Sequence, residues 1–143
     1  MKLIMANVFD NIVGAKHVVA ESSMLKATGA GHILSMKCQK DLDNGSIVTR
    51  GEWIESQIFK TADYAAGKKP YLVLTPPFGY NSDRRSYQDE CYFYNAAGEV
   101  ARCYELYVDD IFTVSSDAIT ALASEPVVGN YVSVENGLYK EAA

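Results

Sequence analysis

Val100-Ala101-Arg102-Cys103-Tyr104-Glu105-Leu106-Tyr107-Val108 is the stretch whose reading decides the fold class. Val100, Arg102, Tyr104, Leu106 and Val108 fall on one side, and Ala101, Cys103, Glu105 and Tyr107 on the other. Period-two alternation sustained this long predicts a β-strand with one mostly buried face, because successive strand side chains point to opposite sides of the sheet. The Val100 set is the more apolar and is the expected inner face. Arg102 interrupts it and needs a partner or an exposed end.

The neighbouring segments extend the same pattern. Residues 111–114 (IFTV) continue as a strand after Asp109-Asp110, whose carboxylates read as turn residues in an Asx role. Ser116 is expected to cap a short helix over residues 117–123, with Asp117 near the positive end of its dipole, and Glu125-Pro126 stops it. Residues 131–134 and 138–140 flank Asn136-Gly137 and predict a closing hairpin. Upstream, residues 32–38 (HILSMKC) alternate loosely, and Asn44-Gly45 before residues 46–49 is a strong hairpin signal. Residues 53–59 (WIESQIF) fit either a strand or a helical turn. Residues 71–74 (YLVL) suit a buried strand that Pro76-Pro77 ends. The expected fold is mainly β, barrel-like or sandwich-like, with one or two short helices. An extended N-terminal arm over residues 1–10 precedes a single β-rich domain over residues 11–143.

Composition narrows the function classes. With 143 residues, 48% apolar and 22% charged, the chain has the balance of a globular domain able to bury a core without metals. No apolar run nears the roughly 20 residues a membrane-spanning helix needs, and no signal-peptide core is visible near Met1. Residues 1–70 carry nine Lys/Arg against seven Asp/Glu, and residues 71–143 carry four against eleven. That acidic second half disfavours direct contact with nucleic acid.

The vocabulary of catalysis is thin. His17 and His32 lie fifteen residues apart, and neither has a cysteine or carboxylate at metal-ligand spacing. Cys38, Cys91 and Cys103 lack a C-x-x-C pair, so buried thiols are expected; a Cys91–Cys103 disulfide between neighbouring strands stays open. Gly29-Ala30-Gly31 matches neither the phosphate-loop nor the dinucleotide fingerprint. No nucleophile elbow is present. An enzyme built on Asp109, Asp110 or His32 needs those side chains to converge. The expectation is a protein that is not an enzyme, with no cofactor and no metal. Ten tyrosines, and the run Tyr92-Phe93-Tyr94, point instead to contact surface. The candidate partner-binding residues are Phe9, Trp53, Phe78, Tyr80, Arg84, Arg85, Tyr92 and Tyr94, chosen because aromatics and arginines are the usual anchors. Trp53 fits ordinary core packing equally well. A barrel that binds a small molecule is the alternative.

Several segments carry a resemblance that runs from about residue 8 to residue 140. They are Asn44-Gly45-Ser46-Ile47-Val48; Tyr80 with Asp83-Arg84-Arg85; Tyr94-Asn95-Ala96-Ala97-Gly98-Glu99-Val100-Ala101-Arg102 with Tyr104 and Leu106; Asp110-Ile111-Phe112-Thr113-Val114; and Val128-Gly129-Asn130-Tyr131-Val132 with the Gly137 turn. Together they resemble the small head proteins of tailed bacteriophages known as decoration or cement proteins. The chain departs from that pattern at Asp109 and Cys103, where glycines are common in the family. The resemblance implies a virion structural protein that binds the assembled lattice of the major capsid protein as a homo-oligomer, commonly a trimer or other symmetric oligomer. It further implies a place on the capsid surface, reached from the host cytoplasm, and leaves a tail or neck component as a variant of the same role.

Overall fold

A computed structural model of the chain describes residues 16–29, 31–77 and 90–142. The strands are β1 (Ala20–Met24), β2 (Ile33–Lys37), β3 (Ile47–Glu55), β4 (Ile58–Asp63), β5 (Tyr71–Val73), β6 (Val100–Glu105), β7 (Ile111–Val114), β8 (Ile119–Thr120), β9 (Tyr131–Glu135) and β10 (Leu138–Ala142). Helical structure among the described residues is limited to the 3₁₀ turns Glu90–Tyr92 and Ser116–Ala118. The expected N-terminal arm lies outside the described residues.

Five strands close a barrel in the order β2-β4-β3-β5-β6, with β6 returning to β2. The β2–β6 pairing is antiparallel and runs from Ile33↔Tyr104 to Lys37↔Val100. The β2–β4 pairing is parallel, from Ser35↔Ile58 to Lys37↔Lys60. A barrel of so few strands has a narrow interior. Met36, Cys38, Val48, Tyr71, Val73, Ala101 and Cys103 fill it, with Leu42 buried among them.

That narrowness reverses one expectation. In β6 it is Ala101 and Cys103 that face the interior, while Val100 and Arg102 are exposed. The small side chains fit the barrel axis. The large ones on the opposite face, Tyr104 and then Leu106, join a second core outside the barrel with Val18, Ile47, Leu72, Ala118 and Tyr139. The elements β7 to β10 cover this outer core through Phe112, Val114, Ile119 and Val134. β5 is buried on both faces, Leu72 toward the outer core and Tyr71 and Val73 toward the inner one, which explains its unbroken apolar run.

Local chemistry accounts for the bends. β3 changes register against β4 between Arg50 and Trp53. Gly51 sits in that irregularity, where a Cβ would lie 2.9 Å from the Lys60 carbonyl oxygen, so a side chain there would push the two strands apart. Residues 53–59 resolve as strand, turn and strand, with no helical turn. Asn136 (φ 53°) and Gly137 (φ 82°) form the tight turn of the β9–β10 hairpin, as the Asn-Gly pair predicts.

Asn44-Gly45 does not close a hairpin: the flanking strands β2 and β3 are not neighbours in the barrel. Gly45 takes φ 91° and packs within 3.0–3.2 Å, measured from a notional Cβ, of Val114 and Ala20, bringing the β1–β7 ribbon against the barrel. The helix expected over residues 117–123 is also absent. Ser115 precedes the 3₁₀ turn, and the chain then extends into β8 beside β10. Ile119 is drawn into the outer core there, and that burial outweighs the local capping preference.

The barrel is tied across one side by buried amides. Asn44 Oδ1 accepts from Thr75 N–H at 3.0 Å and from Asn95 Nδ2 at 3.1 Å, while Asn44 Nδ2 donates to Thr75 C=O at 2.8 Å. Asn95 and Leu42 exchange backbone hydrogen bonds at 2.8 Å. Replacing Asn44 with Ala leaves the half-buried Thr75 N–H and C=O without their amide partner. Equilibrium urea unfolding of Asn44→Ala is expected to show a loss of about 1–3 kcal/mol with an unchanged denaturant slope.

Candidate functional site

Three polar clusters and two apolar surfaces are the places where this fold has something to offer. The first cluster is centred on His32, at the start of β2. Its Nδ1 lies 3.0 Å from Glu105 Oε2 and 2.6 Å from the Tyr107 hydroxyl. Lys69 Nζ meets Glu105 Oε1 as a charge contact without hydrogen-bond alignment, and also lies 5.9 Å from the Tyr107 ring centroid. Glu105 is buried, so its charge needs these neighbours. The cluster ties together β2, β6 and the loop before β5.

The second cluster holds the entry to β1. His17 Nδ1 and Asp43 Oδ1 are 2.7 Å apart, Val18 N–H donates to Asp43 Oδ2, and the His17 ring stacks on Tyr94 with centroids 4.6 Å apart. Both histidines are thus engaged by carboxylates and tyrosines. Asp110 works as a turn residue, accepting from Tyr107 N–H at 2.9 Å and from Lys26 N–H at 3.0 Å, while Asp109 takes φ 73°. No hydrogen bond joins His32 to Asp109 or Asp110 among the described residues. No group of three or more His, Cys, Asp or Glu side chains is placed to hold a metal ion among them either.

Cys38 and Cys103 are held inert by their placement. Burial, reinforced by the neighbouring Cys38, pushes Cys103 up to about 12. Burial, followed by the carboxylates of Glu99 and Asp41, pushes Cys38 up to about 11. Cys103 carries a free thiol, so the pairing with Cys91 that the sequence left open is not made.

The third cluster organises a surface. Glu141, on the inner face of β10, accepts from the backbone N–H of Leu122 at 2.9 Å and of Val127 at 2.8 Å, and from Asn130 Nδ2 at 2.7 Å. One carboxylate thereby fixes the whole connection between β8 and β9. That connection carries Leu122, Val127 and Val128 exposed, and it leads into Tyr131 and Val132, which are 81% and 52% exposed. Among the described residues β9 is an edge strand, with β10 as its one neighbour. A second apolar surface forms where β1 ends and β7 begins: Met24 is paired with Ile111, and both are exposed together with Val108.

The structure disperses the residues singled out from the sequence. Trp53 is 62% exposed at the tip of the β3–β4 hairpin, its indole N–H donating to Ser56 C=O. Tyr94 is partly exposed under the His17 ring, whereas Tyr92 is buried and belongs to the packing of the molecule. Phe9, Phe78, Tyr80, Arg84 and Arg85 lie outside the described residues. The apolar β8–β9 surface was missed. Its signal is Val127-Val128 inside a stretch of turn residues, Glu125-Pro126 and Gly129-Asn130, where no core strand fits.

Comparison of the chain with protein-family models, curated proteins and solved structures finds no match. No helix among the described residues is long and apolar enough to cross a membrane.

The three hydrogen bonds hold the Glu141 carboxyl below its ordinary value, led by those from Leu122 and Val127. A lowered folded-state pKa stabilises the fold above the unfolded value, and that stabilisation is lost as pH falls through the folded one. The melting temperature of Glu141→Gln should therefore lie below that of the parent near neutral pH. The gap should narrow on acidification below the ordinary carboxylate value of 4.5. A gap that is constant down to pH 3 would show that the carboxylate charge is not what holds the loop.

Proposed function

We propose that this chain is a structural virion protein, an accessory or decoration protein that binds and stabilises the assembled capsid shell of a tailed phage. The observation that carries this reading is the exposed apolar surface of Leu122, Val127 and Val128 on a connection fixed by Glu141. Exposed apolar side chains held in one geometry are characteristic of a surface that is covered in use, since a pre-ordered loop loses little entropy on binding. The resemblance spread along the sequence supplies the class of partner, the major capsid protein lattice.

The mechanism is stabilisation by binding. A protein that attaches to the shell and not to its dissociated subunits shifts the equilibrium toward the shell. Repeated copies on one lattice, or an oligomer with several attachment points, raise the effective affinity further. No bond is made or broken, and no cofactor is required. The alternative, a barrel holding a small molecule, is disfavoured because side chains fill the barrel axis.

Density-gradient sedimentation tests the proposal. The chain, expressed with the particles of its native host, should travel with head-sized particles that contain a major capsid protein. Val128→Asp should weaken attachment by about tenfold or more, the effect of losing a central apolar anchor. A chain found at the top of the gradient in every fraction set would overturn the reading.

A further inference from the structure

We infer that β9 pairs with β9 of a second copy, antiparallel about a two-fold axis at Ser133, so that the closing sheets of two chains become one continuous sheet. The hairpin register sets Glu135 opposite Leu138, Ser133 opposite Lys140 and Tyr131 opposite Ala142. Across so tight a turn the closing pair is hydrogen-bonded, and bonded pairs then alternate along the ladder. Glu135, Ser133 and Tyr131 accordingly direct their N–H and C=O groups to β10. Val132 and Val134 direct theirs to the open edge, where no described strand meets them.

The edge lacks the proline, lysine and bulge that keep many exposed strands apart. Tyr131-Val132-Ser133-Val134-Glu135 contains no proline and no lysine, and its ladder with β10 is regular. The β1–β7 ribbon, by contrast, shifts register between Ser22 and Met24.

The sequence of β9 also selects the partner and its direction. With Ser133 facing Ser133, Val132 of each chain lies opposite Val134 of the other, and these are the residues whose backbone groups face outward. The exposed Val132 then packs beside a Val134 that already belongs to the outer core, extending that core across the junction. Tyr131 of one copy meets Glu135 of the other, a phenol against a carboxylate. Parallel pairing in register would set Glu135 against Glu135, a like-charge contact. A second copy aligned antiparallel satisfies every one of these positions.

The inference concerns self-association and is separable from capsid attachment. Light scattering on the full chain should give a two-chain mass. Val132→Pro removes an N–H that meets no other strand among the described residues, and Val132→Lys places a charge on the edge; each should halve the mass with the circular dichroism spectrum unchanged. Because opposed residues of a non-hydrogen-bonded pair have Cα atoms about 4.5 Å apart, Ser133→Cys should form a covalent dimer under mild oxidation. The parent chain, which retains Cys91, should not. A one-chain or three-chain mass for the parent at its highest soluble concentration would overturn the pairing. So would a Val132→Lys variant that keeps the two-chain mass. A three-chain species that still sediments with phage heads sinks the two-fold and leaves attachment standing; a two-chain species that ignores heads does the reverse.

Discussion

The structure depends on closing a five-strand barrel through β2, which hydrogen-bonds antiparallel to β6 on one side and parallel to β4 on the other. Without that strand the sheet would have two open edges and its inner residues would be wet. Closure fixes the interior radius, and the radius dictates which side chains turn inward: Met36, Val48, Val73, Ala101 and Cys103. On β6, Tyr104 and, beyond it, Leu106 find burial on the outside. The outer core follows from that requirement.

That second layer is where the molecule becomes able to act on a neighbour. The β9–β10 hairpin is docked by Tyr139, whose hydroxyl donates to Gly45 C=O at 2.6 Å, and by Ile47 N–H, which donates to Gly137 C=O at 2.7 Å. Burial raises the Tyr139 hydroxyl well above the usual phenol range, so it stays a neutral donor throughout the physiological window. With β10 anchored, Glu141 can hold the β8–β9 connection from below and leave its apolar side chains outside. Rigid scaffold and exposed surface are thus coupled through one strand. An inward face that ends in a carboxylate, where a further apolar residue would ordinarily sit, is the signature of that coupling.

Much of the architecture was legible because it is encoded locally. The Asn136-Gly137 hairpin, β5 with its unbroken apolar run and β7 after the Asp109-Asp110 turn all follow from alternation and turn chemistry over a few residues. What was not legible depends on distant partners. The buried face of β6 could not be read, because hydrophobicity favours Val100 and Tyr104 while the barrel radius favours Ala101 and Cys103. Asn44-Gly45 carries a hairpin signal, yet the amide of Asn44 is used by Thr75 and Asn95, far away in sequence. The candidate surface was hidden for a related reason. Tyr131 and Val132 look like core in a one-dimensional pattern, and their exposure appears only when the sheet order places β9 at an edge. Glu141 gave a clue of its own, since it shares a strand face with Tyr139 and so points inward.

Native-state hydrogen exchange tests the closed barrel most directly. Amides of Ser35, Met36 and Lys37 in β2 should exchange only through global unfolding, with the opening free energy of the whole molecule, while amides in the connection between β8 and β9 open at lower cost. Exchange in β2 at a fraction of the global free energy would mean that the sheet is open there. The scaffold on which the outer core and its apolar surface rest would then be wrong.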